Sequence, residues 1–181
     1  MRDSDLDEGI GVLAEVANEG LWVGTEAGFD RTARRALWEQ DLAAADTVTL
    51  VVEHRTTGRL VGHGRVVREP YGVAELGMVL AASARGQRIG GHLLDALIEA
   101  AGGLGAHKVQ LQVWPHNEPA IRLYLSRGFV VEGRLRRHYR RANGELWDSI
   151  LMGKELHRPD VREPAGSGLP DADSLPPSSI R

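Results

Sequence analysis

Apolar and polar positions recur along this chain with two different periods, and each change of period marks an element. Over residues 6–18, Ile10, Leu13, Val16 and Ala17 fall on one side of a predicted helix. A second helix is predicted from Asp30, a suitable N-cap, to about Ala44. Residues 47–53 (TVTLVVE) read as a strand, and Thr57-Gly58 turns the chain back into another over 59–67. A third strand is expected over 74–80. From Ile89 to about Ala101, Leu93, Leu94, Leu97, Ile98 and Ala101 repeat at helical spacing until Gly102, Gly103 and Gly105 stop them. Residues 108–113 alternate cleanly, with Val109, Leu111 and Val113 against Lys108, Gln110 and Gln112. A short helix over 117–127 ends at Gly128. Strands over 129–141 and 145–154 are joined by Asn143-Gly144, a two-residue hairpin signal.

The order of elements is helices, antiparallel strands, helix, strand, helix, strand hairpin. It predicts an α/β (α+β) domain with a central mixed, mostly antiparallel sheet flanked by helices. No G-x-G-x-x-G follows the first strand, which argues against a doubly wound nucleotide fold. One domain is expected over residues 1–157. Residues 158–181 are rich in Pro, Gly, Ser and Asp with few large apolar side chains, and a disordered tail is expected there. No internal repeat is visible.

Composition narrows the function classes. The 181 residues are 42% hydrophobic and 26% charged, enough for a real core. A formal net charge of -3 gives no electrostatic reason to expect nucleic acid or a membrane as partner. There is no cysteine, so disulfides, thiolate metal sites and a cysteine nucleophile are excluded. The seven histidines show no ligand spacing such as H-E-x-x-H, and no metal is expected. The N-terminus carries no secretory signal and no apolar run could span a bilayer, so a cytoplasmic location is expected. Only Lys108 and Lys154 are lysine; with abundant Arg, Ala and Gly, this is the composition of a GC-rich bacterial gene.

The candidate chemistry lies where the third strand runs through Arg85-Gly86-Gln87-Arg88-Ile89-Gly90-Gly91 into the strongest helix. Unpaired N–H groups and a partial positive charge at a helix N-terminus suit a pyrophosphate, and glycines let the backbone approach it. A tight strand-to-helix turn explains the same glycines equally well. After the next strand comes Asn117-Glu-Pro-Ala-Ile-Arg-Leu-Tyr124-Leu-Ser-Arg-Gly128-Phe129.

Together the two segments resemble the GNAT superfamily of N-acetyltransferases. In that family an R/Q-x-x-G-x-G/A loop binds the pyrophosphate of acetyl-CoA, and the next helix carries N-x-x-A-x-x-L-Y-x-x-x-G-F. The second pattern matches here at every fixed position. The first matches at Arg85 and Gly90 but has Arg88 where the middle glycine stands, a change that suits a negative φ there. The resemblance covers about residues 47–156, and the family's usual first strand is expected to be missing or cut short. It implies a GNAT fold with acetyl-CoA held by Met78, Val79 and Leu80 on the strand, by the loop from Arg85 to Gly91 (Gly86, Gln87, Arg88, Ile89 and Gly90 between them), and by Asn117, Ala120 and Tyr124. Glu132-Gly133, Tyr139, Asn143-Gly144, Asp148 and Met152 resemble the ends of bacterial enzymes that acetylate small amines.

The resemblance implies direct attack by an amine without an acyl-enzyme, which agrees with the lack of cysteine. Tyr124 takes the family's general-acid position, protonating the departing thiolate; a core tyrosine is the plainer reading. Asn117 is both a cofactor contact and a good N-cap before Pro119. Glu75 takes the place of a glutamate held to deprotonate the amine, and a solvated strand carboxylate explains it too. A bulge near 77–79 is expected to free a backbone N–H, at Val79 or Leu80, for the thioester carbonyl. Residues 134–141 hold five arginines, read as a solvated basic face rather than a nucleic-acid site. The expected activity is acetylation of a primary amine of a small molecule such as an amino acid, polyamine or amine-bearing antibiotic, and a homodimer is compatible with it. The alternatives are a protein N-terminal or lysine acetyltransferase and a non-catalytic acetyl-CoA-binding module.

Overall fold

A computed structural model describes residues 1–156 of the chain. The expected tail over 158–181 lies outside the described residues. Four helices, α1 (Leu6–Asn18), α2 (Arg31–Ala43), α3 (Ile89–Gly103) and α4 (Glu118–Ser126), flank six strands. These are β1 (Thr47–Glu53), β2 (Leu60–Arg68), β3 (Val73–Leu80), β4 (Lys108–Val113), β5 (Val130–Arg140) and β6 (Leu146–Glu155). The sheet order is β1-β2-β3-β4-β6-β5, and every pairing is antiparallel except β3 with β4. Among the described residues no strand precedes α1.

The alternation of each strand sends its apolar side chains to one of two cores. Ala74, Leu76, Val109 and Leu111 meet Leu93, Leu94 and Leu97 of α3 on one face. On the other, Val12 and Val16 of α1 meet Leu60 and Val79. Helix α3 lies so close to β2 that a Cβ at Gly64 would run into the Leu97 side chain. Asp30 caps α2 by accepting the Thr32 and Ala33 N–H groups at 2.9 and 3.0 Å. Helix α2 buries no residue completely and is tied down by ion pairs, Arg35 to Asp7 at 2.7 Å and Arg65 to Asp41 at 2.7 Å.

Two local expectations need correction. The β5–β6 hairpin turns through three residues rather than two: Gly144 N–H donates to Arg141 O, and Gly144 then takes φ +87°. This is a type I turn closed by a left-handed glycine. The β2–β3 ladder runs unbroken from Arg68–Ala74 to Gly62–Leu80, so the bulge expected near 77–79 is absent. Register shifts lie elsewhere, in β5 at 131–133 and 135–139 and at the end of the β1–β2 ladder between Val52 and Glu53. The one at 135–139 carries Arg137 at φ +50°, its N–H held by Asp148 at 2.8 Å.

Candidate active site

Strand β4 pairs with β6 along its whole length but with β3 only from Val73–Lys108 to Glu75–Gln110, and beyond that it diverges from β3. The divergence opens a groove of about 660 Å³ through the middle of the sheet. The flanking bonds, Glu69 N–H to Val73 O and Ala81 N–H to Val61 O, fix which backbone groups face it. Odd-numbered residues of β3 bond β2, so the N–H and C=O groups of Leu76, Met78 and Leu80 point toward the gap. No bulge is needed to free an amide, because the neighbouring strand has moved away. Val79 turns its backbone to β2 and gives the groove its side chain.

The loop after β3 enters α3 with no side chain capping the helix N-terminus, whereas Asn117 caps α4 through the Ala120 N–H at 3.3 Å. Gly86 takes φ +74° and Arg88 takes φ +63°. The negative φ that would make Arg88 an easy replacement for the glycine is not met: an arginine occupies a left-handed position where glycine is the unstrained residue. Its side chain is exposed at the mouth of the groove. Arg85 is engaged elsewhere. Its guanidinium clasps Glu19 with two bonds of 2.7 Å, donates to Leu80 O at 3.0 Å and lies 5.8 Å from the Trp22 ring centre. That clasp holds the Glu19 carboxyl below its usual range. Gln87 turns back to Ser83 O at 2.6 Å. Gly90 and Gly91 line the groove, and a Cβ on Gly90 would press on Leu123 and Leu80 at 3.3 and 3.4 Å.

Asn117, Ala120 and Tyr124 face the loop across the cleft. Tyr124 is 8% exposed, and burial pushes its phenol up to about 12. At neutral pH it carries its proton and can donate it. Glu75 is exposed on the α1 side of β3, in a polar hollow of about 240 Å³ that meets the groove at Leu76 and Gly77. Burial and the Glu75 charge both raise the Tyr139 phenol.

Sequence reasoning missed the far side of the groove. Trp22, Trp114 and Tyr139 line it, with Gln112 and Ser149 joined by a 3.0 Å bond. A tryptophan between glycines, as in GLWVG, was the available signal for the roof. The loop over 19–26 covers this side and is clamped at three points. Arg85 holds Glu19, His116 Nε2 lies 2.8 Å from Leu21 O, and Arg141 donates to Val23 O at 3.2 Å. Arg141 is buried 4.5 Å over the Trp147 ring and pairs with Glu26 at 3.0 Å. Among the described residues no group of three or more His, Cys, Asp or Glu could hold a metal ion, and no helix is long and apolar enough to cross a membrane.

Known proteins share this fold. The sequence profile of the acetyltransferase (GNAT) family matches residues 15–129. A curated relative, the candidate phosphinothricin acetyltransferase YwnH of Bacillus subtilis, is 28% identical over 83 residues, 46% of this chain and 50% of that protein. The chain thus matches about half the length of that curated relative. The phosphinothricin acetyltransferase of Sinorhizobium meliloti, solved with acetyl-CoA, superposes with a TM-score of 0.78 at 20% identity, covering 95% of this chain and 94% of that one. A ribosomal-protein-alanine N-acetyltransferase from Brucella melitensis gives 0.77 at 26% identity over 86% and 97%. With the profile match spanning more than half its length, the chain belongs to the acetyltransferase (GNAT) family.

Proposed function

We propose that this chain acetylates a primary amine of a small molecule by direct attack within a ternary complex. Family membership makes it an N-acetyltransferase with acetyl-CoA as donor. The acceptor class and the residue roles are the proposal. The residues fit the donor: an uncapped helix N-terminus and small Gly90 and Gly91 accept a pyrophosphate, and the backbone groups of Met78 with the N–H of Leu80, whose carbonyl Arg85 already holds, face a pantetheine arm. When bound, acetyl-CoA supplies the thioester. Tyr124 holds a proton at Oη for the leaving sulfur, Glu75 takes one from the amine, directly or through water, and Asn117 fixes the start of α4.

The observation that carries the small-molecule reading is the clamped roof over 19–26. It closes the acceptor side that a polypeptide would have to cross. Acylation of a protein N-terminus is the second reading, favoured by the likeness to the ribosomal-protein-alanine enzyme. Strand β5, an edge of the sheet among the described residues and with Val130 and Val131 exposed, fits a homodimer as part of the proposal. Thiolate release from acetyl-CoA, followed with a thiol reagent against amino acids, polyamines and short peptides, tests the assignment. Turnover with small amines and not with peptides is expected; turnover with peptides alone overturns it.

A further inference from the structure

Beyond the reaction centre the groove continues along β2 beneath α2. Arg34 and Trp38 from α2 and His63 and Arg65 from β2 form its wall there, with Gly77 as its floor. Two nitrogen atoms in this wall, His63 Nε2 and Arg65 Nε, are buried and have no hydrogen-bond partner among the described residues. A buried donor left unsatisfied is costly, so a pair of them in one cavity wall points to a ligand that satisfies both. His63 is only 8% exposed, and its ring stands edge-on to Trp38 at 4.8 Å. Burial and the nearby Arg34 charge pull its pKa down to about 4, so at neutral pH it is an uncharged imidazole able to donate one hydrogen.

Arg65 pairs with Asp41 through Nη2 at 2.7 Å, which leaves Nε free. Arg34 and Arg65 outnumber Asp41 here, so this end of the groove is net positive. Arg65 is in register with Gly77, where a Cβ would meet nothing within 4 Å, so the space beside the guanidinium is open. Glu75, on the same face and two residues along β3, makes the neighbouring end negative. The wall is therefore dipolar, and it suits a molecule with an ammonium at one end and an anion at the other.

We infer that this extension is a carboxylate subsite, with Arg65 Nε and His63 Nε2 as its donors, and that the acceptor is an amine that also carries a carboxylate. The inference rests on the small-amine reading of the groove and narrows it, since polyamines carry no anion. The test compares common α-amino acids with their α-carboxamides as acceptors, by thiol release. In the parent protein the best amino acid should exceed its carboxamide at least tenfold in kcat/KM. Arg65→Gln should bring that ratio near one through KM, with acetyl-CoA binding intact. Asp41→Asn breaks the same ion pair but keeps the guanidinium, so it should preserve the preference. Gly77→Val fills the floor and should raise the acceptor KM at unchanged melting temperature. Equal turnover of acids and carboxamides overturns the subsite while leaving the small-amine reading intact, and so does equal loss of preference in Asp41→Asn and Arg65→Gln. If no small amine is turned over, the small-amine reading fails. Calorimetry of the same pairs against the CoA-bound protein then decides the subsite, and binding indifferent to the carboxylate overturns it.

Discussion

Three residues carry consequences out of proportion to their size. Tyr124 packs its ring 5.8 Å from Phe129 and keeps its phenol protonated. Tyr124→Phe preserves the packing and removes the proton, so kcat should fall by about 10²–10⁴-fold. Acetyl-CoA affinity should barely move, and unfolding should shift by at most about 1 kcal/mol. A merely structural tyrosine predicts the reverse, which stopped-flow turnover and denaturant melts separate. Arg88 takes φ +63° at the uncapped start of α3. Arg88→Gly should stabilise the fold by roughly 1 kcal/mol through relieved strain. It should also weaken acetyl-CoA binding at low salt and less at high salt, because an exposed charge is screened. Paired melts and calorimetry at two salt concentrations check both signs. His63 titrates near 4 when folded and near 6.5 when unfolded. Its contribution is present above pH 6.5 and lost as pH falls toward 4, because the unfolded chain binds the proton first. Between pH 6.5 and pH 5 this costs about 2 kcal/mol, and His63→Gln should flatten that part of a stability-versus-pH curve.

At the scale of elements, the roof loop matters most, since it belongs to no helix or strand and is anchored to three other loops, through Arg85, His116 and Arg141. Arg141→Met removes the bonds to Val23 O and Gly24 O, the pairing with Glu26 and the stacking on Trp147. The acceptor KM should rise by about tenfold or more, the worth of one lost charge-assisted bond of ~1.4 kcal/mol, while the donor KM stays put. Initial-rate kinetics with each substrate varied in turn checks this. Elements with a clear period were legible in the sequence. Strands β1 and β4 and helix α3 follow from apolar spacing, because that spacing is what buries them. The β5 bulges were illegible: in 134–141 nearly every position is polar, so a slipped register leaves no trace in the pattern. In the site, the loop and Tyr124 were readable because they sit on contiguous motifs. His63 and Arg65 were not, since α2 brings a wall to them from residues some thirty positions away. Gln112 looked like an ordinary solvated strand residue, and it is exposed, but into the groove.

At the scale of the whole molecule, two cores on opposite faces share one sheet, and that sheet is nearly two sheets. One ribbon is β1-β2-β3, the other β4-β6-β5, and each is held by long antiparallel ladders. Between them runs a seam of three residue pairs, from Val73–Lys108 to Glu75–Gln110. Mechanically this seam is the weak line of the fold, the place where load applied across the sheet concentrates. A ligand that hydrogen-bonds β3 on one bank and packs on Asn117 and Tyr124 on the other spans the line just past where the backbone stops doing so. Substrate then acts as a rivet as well as a reactant, and the protein is stiffest across its middle only while it has something to acetylate with.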